Sequence, residues 1–96
     1  MKVVLDKERE LKFTFKALLE IEKELGKKLS EFSAENVGLN EIFILFYHGL
    51  KATDPKLTKD MVLDIIDKSG IDVKTIAEYV GQALAEAFGA SFRTAE

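Results

Sequence analysis

The sequence predicts an α+β domain that is mostly helical, with an N-terminal β-hairpin packed on a bundle of about four short helices. Three observations lead to this fold class. Two short apolar runs flank a charged segment near the start of the chain. Four later stretches repeat apolar residues at helical spacing. Glycines or a proline stand where these stretches should end.

The first predicted element is a hairpin between two apolar runs, residues 3–5 and 11–15. Apolar and polar residues alternate from Leu11 to Phe15, so the apolar ones should share one face of a strand. The segment between the runs, residues 6–10, is charged and lacks glycine, which favours a four- or five-residue loop over a tight turn. An isolated two-stranded hairpin is marginal in water, so it must lie on helices.

The second apolar run passes directly into a helical pattern. Thr14 is a suitable N-cap, and Gly26 stands where a left-handed residue should end the helix. We expect the core-facing stripe to follow the i, i+3, i+4, i+7 series, with further apolar residues widening it. Its members are Phe15, Leu18, Leu19, Glu22 and Leu25, widened by Ala17 and Ile21.

The middle of the chain contains its most apolar run. Residues 27–38 are less regular and could hold one helical turn. The apolar run follows at residues 42–47 and fits either a buried strand or a buried helix. We favour a helix, because Asn40 offers an N-cap and the pair Asp54 and Pro55 provides a stop.

Two further helices complete the pattern. Thr58 and Asp72 are their predicted N-caps, and Gly70 and Gly89 are their predicted ends. The residues predicted to face the core are Met61, Val62, Ile65 and Ile66 in the first helix, and Val73, Ile76, Ala77, Val80, Leu84 and Phe88 in the second.

The composition limits the class of protein. A chain of 96 residues with 47% apolar residues fits one domain, which we place at residues 1–89, followed by a flexible tail at residues 90–96. The net charge of −3 argues against a nucleic-acid binder. The absence of cysteine excludes disulfides and thiolate metal sites. No signal-peptide pattern and no run near the ~20 apolar residues of a membrane span are present, so we expect a cytoplasmic protein without a membrane partner.

No motif in the sequence indicates catalysis. His48 is the only histidine, and an enzyme would need it close to Asp64 or Asp67 in a pocket. Asp60, Asp64 and Asp67 share one helical face, where two carboxylates could bind a metal; a solvated acidic face is the simpler interpretation. No glycine cluster is spaced to bind phosphate. We predict no catalytic residue, no cofactor and no metal site.

The candidate functional residues are apolar instead. The predicted helix at residues 42–47 is apolar on all sides, and a small domain can cover only part of it. Its remaining face is predicted to hold a partner helix. The predicted tail offers one further aromatic side chain. The predicted partner-binding residues are Ile42, Phe46, Tyr47 and Phe92.

The order of these motifs is itself informative. A Leu-x-Phe strand at Leu11 leads into a helix that ends in Leu-Gly at residues 25–26. An apolar helix is then followed by Leu-Thr at residues 57–58, an acidic helix, and an Ala- and Leu-rich helix at residues 76–88. In this order, residues 3–89 resemble the phage tail assembly chaperones of siphophages, prophages and gene transfer agents. The tryptophan that is frequent in the middle helix of that family is absent here.

The resemblance implies a function without chemistry. Members of this family bind the long, apolar tape measure protein and keep it soluble until tail tube subunits polymerise around it. The resemblance therefore implies no cofactor, the bacterial host cytoplasm as the location, and the tape measure protein as partner, with the tail tube protein as a second candidate. The alternative is a small cytosolic adaptor or regulatory protein that dimerises or binds a partner helix through residues 42–47. The oligomeric state stays open.

Overall fold

The computed structural model describes residues 1–28 and 38–94, with the side chains of residues 1–28 and 38–87. In these residues a two-stranded antiparallel hairpin precedes four helices, which confirms the predicted fold class. No helix of the described residues is both long enough and apolar enough to span a membrane. The elements are β1 (Lys2–Val4), β2 (Glu8–Glu10), α1 (Phe15–Leu25), α2 (Leu39–Lys51), α3 (Lys59–Ser69) and α4 (Val73–Thr94).

The second strand of the hairpin lies earlier in the chain than predicted. It comes from the charged segment that we expected to be the loop, and the chain turns at residues 5–7. Leu11 and Phe13 are buried as predicted but belong to no strand. Leu11 exchanges backbone hydrogen bonds with Met1, at 2.7 and 3.1 Å, and so extends the hairpin by one pair. The amide of Lys12, the next residue, donates to the Gly49 carbonyl oxygen of α2 at 3.0 Å, so the segment leaves the hairpin there and contacts α2.

An ion pair stabilises the turn of the hairpin. Arg9 donates from Nε and Nη2 to the two carboxylate oxygens of Asp6, at 2.8 and 2.9 Å. These hydrogen bonds lower the pKa of Asp6 to about 2. The charged segment therefore forms both the turn and β2. The alternation of apolar and polar residues did not predict a strand in this segment.

Three predicted helix N-caps and two predicted helix ends are confirmed. At Thr14, Thr58 and Asp72 a side-chain oxygen accepts the backbone amide three residues later, at 2.8 to 3.2 Å. Gly26 and Gly70 end α1 and α3 with φ of 67° and 70°, the left-handed conformation that glycine adopts without strain.

Helix α2 is the centre of the core, and the helical interpretation of residues 42–47 is confirmed. It packs against α1, α4 and β2. Every residue from Ile44 to Leu50 is buried, as expected of a helix that is apolar on all sides. A side chain at Gly49 would overlap the methyl group of Leu11, so glycine at this position lets the segment after the hairpin lie directly on α2.

The start of α2 differs from the prediction. The helix begins at Leu39 with Gly38 as its N-cap, whereas we expected Asn40. The Oε1 atom of Glu41 accepts the Gly38 amide at 2.9 Å, so a side chain of the first turn reaches back to the start of the helix. Asn40 lies exposed inside the helix.

Helix α4 is longer than predicted. It continues through Gly89 to Thr94, so residues 90–94 of the predicted tail are helical. A glycine that ends a helix commonly adopts a positive φ, and only two glycines of the described residues do so, both at the ends of other helices. Residues 95–96 and residues 29–37, where we expected one helical turn, lie outside the described residues.

The predicted core residues of α3 and α4 are buried or half-buried with two exceptions among the described side chains. Met61 and Val73 are exposed, and both lie in the first turn of their helix. The confirmed residues are Val62, Ile65, Ile66, Ile76, Ala77, Val80 and Leu84. The side chain of Phe88, also predicted to face the core, lies outside the described residues.

Helix α1 presents a different face to the core than predicted. Ala17 and Ile21, expected to widen the apolar stripe, are its only buried residues. Phe15 and Leu19, expected at the centre of the stripe, are exposed. The distance between packed helices depends on the side chains at the contact, and Ala17 allows α1 to lie close to α2. The larger side chains on the opposite face of α1 are then directed to solvent.

Candidate protein-binding surface

The residues that the sequence predicted for partner binding do not form an exposed surface. Phe46 is 0% exposed and Tyr47 is 7% exposed, because α1, α4 and β2 surround α2. Ile42 is half-buried against the core. The side chain of Phe92 lies outside the described residues. A partner cannot contact Phe46 or Tyr47 in this conformation, so the predicted face of α2 belongs to the core.

The most prominent exposed apolar pair lies on α1. Phe15 is 78% exposed and Leu19 is 54% exposed. The two residues are four apart in a helix, so their side chains are neighbours on its surface. Leu18 and Leu25 lie half-buried between this pair and the core. We call Phe15 and Leu19 the outer α1 face.

The other exposed apolar side chains are dispersed over the remaining elements. None of them has an exposed apolar neighbour at helical spacing of three or four residues among the described residues. Single exposed apolar residues are normal on protein surfaces, whereas paired ones on one helix face are more informative. They are Val4 on β1, Leu39 on α2, Met61 and Leu63 on α3, and Val73 on α4.

A buried histidine joins α1 to α2. His48 is 6% exposed, and its Nε2 atom lies 2.8 Å from the Oε1 atom of Glu24. Lys59 at the start of α3 donates to the other oxygen of the same carboxylate. Burial raises the pKa of Glu24, but the hydrogen bonds from Lys59 and His48 outweigh this effect and hold the pKa below its ordinary value. His48 therefore donates to an ionised carboxylate.

Aromatic and cationic groups surround this histidine. The Tyr47 ring meets the imidazole edge to face, with centroids 4.9 Å apart. The Nζ atoms of Lys51 and Lys59 lie 5.6 and 5.8 Å from the centroid of the Tyr47 ring, within cation–π range. The cluster connects α1, α2 and the first residue of α3, so its geometry depends on how these helices pack.

A cleft of about 180 Å³ lies between the start of α1 and the end of α2. It combines positive groups with one carboxylate, and His48 forms part of its wall. The carboxylate that meets His48 is Glu24, and not Asp64 or Asp67, which lie on an exposed face of α3. The cleft is lined by Thr14, Lys16, Ala17, Glu20, His48, Lys51, Ala52 and Pro55.

The three aspartates of α3 do not assemble a metal site with other ligands. Asp60, Asp64 and Asp67 are exposed, as a solvated acidic face requires. Across residues 1–28 and 38–94 no group of three His, Cys, Asp or Glu side chains is arranged to hold a metal ion.

Two features of the surface were missed in the sequence. The first is the outer α1 face; its signal was that α1 carries apolar residues on more of its circumference than one neighbouring helix can cover. The second is Glu24, which lies outside the predicted apolar stripe of α1 and is 24 residues away from His48. No local pattern connects those two residues.

A comparison of the chain with models of known protein families, with curated proteins and with solved structures finds no match.

Proposed function

We propose that this protein is a phage or prophage tail assembly chaperone, which binds the tape measure protein and keeps it soluble in the bacterial host cytoplasm while the tail tube assembles. Two observations support the proposal. The order of motifs across residues 3–89 resembles that family. The observation that carries the binding role is the outer α1 face, where Phe15 and Leu19 are exposed side by side.

The outer α1 face fits a helical apolar client. Burying two large apolar side chains is worth about 3–6 kcal/mol, against an association cost of about 4–15 kcal/mol. A single contact of this size binds weakly and reversibly. Several copies along one long client would cover it and still be released when tail tube subunits compete, which is what a chaperone of this kind must do.

The alternative adaptor function has less support. In that function the protein would dimerise or bind a partner helix through residues 42–47, but Phe46 and Tyr47 in this segment are buried. A partner could reach these two side chains only by displacing α1 or α4, which would disrupt the packing of the core.

Co-expression with the tape measure protein of the same phage or prophage genome tests the proposal. The expected result is a larger soluble fraction of the tape measure protein than with an empty vector. The double substitution Phe15→Ala and Leu19→Ala should remove this gain. A matched control, Val4→Ala with Val73→Ala, removes apolar side chains that are exposed on other elements and should preserve the gain.

Circular dichroism and thermal unfolding of each variant establish that it is folded before the yields are compared. An unchanged soluble fraction with the unsubstituted protein contradicts the chaperone function. Equal loss of the gain in the two variants contradicts the assignment to the outer α1 face.

A further inference from the structure

Two lysines lie on one side of the outer α1 face. Lys16 and Lys23 are exposed, and neither forms an ion pair within the described part of the chain. They are seven residues apart, which is two helical turns and about 10 Å along the axis. Phe15 and Leu19 are therefore flanked by a basic row.

Helix α3 carries an acidic row with the same spacing. Asp60 and Asp67 are seven residues apart, with Asp64 between them, and all three are exposed without an ion pair among the described residues. Leu63 lies beside this row and is exposed. We call Leu63 and the three aspartates the outer α3 face.

We propose that the outer α1 face of one copy of this protein packs antiparallel on the outer α3 face of a second copy. In this arrangement Lys16 lies near the partner's Asp67, and Lys23 lies near the partner's Asp60. The same register sets Leu19 one residue, about 1.5 Å along the axis, from the level of the partner's Leu63. Lys16 and Lys23, which form no ion pair among the described residues of the monomer, thereby meet two aspartates of opposite charge at the same seven-residue spacing.

The antiparallel direction follows from helix geometry. Successive residues of a helix are 100° apart around its axis. When each helix is viewed from its N-terminus, the basic row of α1 is displaced from Phe15 and Leu19 in the same direction of rotation as the acidic row of α3 is displaced from Leu63, so the two rows lie on like sides. When two helices face each other, these like sides meet only if the helices run in opposite directions. The order of the charges agrees, since the first lysine then meets the last aspartate.

The two faces belong to helices that are held together in one molecule. Lys59 at the start of α3 donates to Glu24 near the end of α1. An interface with two-fold symmetry needs both halves of the contact on one side of each copy, so that each contact is made twice. The proposed dimer is closed in this way, with α1 and α3 of each copy facing α3 and α1 of the other.

This inference does not rest on the proposed function, because association is measured without a client. If both proposals hold, the client and the second copy compete for Phe15 and Leu19. Self-association would then cover the outer α1 face until a client displaces the second copy.

Sedimentation equilibrium of the full chain tests the proposal at about 1 to 500 µM, a range that brackets micromolar dimers. We expect a reversible dimer that weakens as NaCl is raised. Lys16→Glu with Lys23→Glu should weaken dimerisation by about tenfold or more, and so should Asp60→Lys with Asp67→Lys. Combining all four substitutions reverses the charges of the two proposed Lys–Asp pairs and should restore the dimer.

A control with the same change in net charge is Lys56→Glu with Lys74→Glu, two exposed lysines outside both faces. It should leave the dimerisation constant within about twofold of the unsubstituted protein. A protein that stays monomeric over the whole range overturns the proposal. A folded variant with all four substitutions that stays monomeric also overturns it. So does a variant with Lys16→Glu and Lys23→Glu that dimerises as strongly as the control variant.

Discussion

Helices α1 and α2 lie against each other but use their apolar residues differently. Every residue of α2 from Ile44 to Leu50 is buried, whereas α1 buries only Ala17 and Ile21 and leaves Phe15 exposed. The more apolar helix is thus the less accessible one, because α1, α4 and β2 all pack on α2. The number of neighbours, and not the number of apolar residues, decides which apolar surface is free to bind a partner.

The largest expected effect is in the centre of α2. Phe46→Ala removes a fully buried ring and should lower the free energy of unfolding by about 3–5 kcal/mol, because it leaves a cavity in a closely packed core. Urea unfolding followed by circular dichroism measures it. A loss below about 1 kcal/mol would mean that Phe46 is accessible and that the contrast between the two helices is wrong.

The contact of α2 with the segment after the hairpin should be the next most sensitive. Gly49→Ala places a methyl group against the buried side chain of Leu11, and the required shift should cost about 1–3 kcal/mol. Gly81→Ala serves as the control, since a methyl group there meets no atom within 4 Å and should stabilise α4 by about 0.5–1 kcal/mol. Equal effects of the two substitutions would show that Leu11 does not lie on Gly49.

The polar contact between α1 and α2 should have a smaller and pH-dependent effect. The pKa of Glu24 is lower in the folded protein, so its contribution to stability is fully present above its ordinary pKa of 4.5 and is lost as pH falls through the lower folded value. Glu24→Gln should reduce stability by about 1 kcal/mol at pH 7. The difference in the free energy of unfolding between the Glu24→Gln variant and the unsubstituted protein should become smaller below about pH 4.5.

Urea titrations at a series of pH values measure this narrowing. The variant Glu20→Gln, on the same helix, controls for the loss of one negative charge. A difference between Glu24→Gln and the unsubstituted protein that stays constant down to pH 3 would contradict the ion pair with Lys59 and the hydrogen bond from His48.

The smallest expected effect on stability is on the outer α1 face. Phe15→Ala should change the free energy of unfolding by no more than about 0.5 kcal/mol, because an exposed side chain leaves no cavity. The same substitution should nevertheless reduce client solubilisation and self-association. A large destabilisation would place Phe15 in the core, as the sequence had predicted, and would remove the candidate surface.

The fold could be predicted from the sequence more completely than the choice of apolar residues that stay exposed. The caps at Thr14, Thr58 and Asp72 and the glycine ends at Gly26 and Gly70 were found because each depends on residues within one or two turns. The exceptions are informative. Asn40 was a plausible cap, but the N-cap is Gly38, whose amide donates to Glu41 in the first turn, and both options are compatible with the same local sequence.

Phe46 and Tyr47, which the sequence predicted to bind a partner, are buried for a physical reason. The apolar run at Phe46 and Tyr47 indicated surplus apolar surface, yet that surplus is covered by three neighbouring elements. On α1, the stripe through Phe15 and the stripe through Ala17 were both compatible with a helical period. Which one faces the core depends on how closely α1 approaches α2, and this distance is a property of the packed domain.

The sequence by itself determined the mostly helical fold class, the confirmed helix caps and ends, and the absence of disulfides and thiolate metal sites. These features follow from composition and from interactions between residues close in the chain. Only the tertiary structure decided the rotation of α1, the pairing of Glu24 with His48, and the strand taken from the charged segment. Each of these depends on contacts between distant parts of the chain, whose free energies are set by which surfaces can pack together.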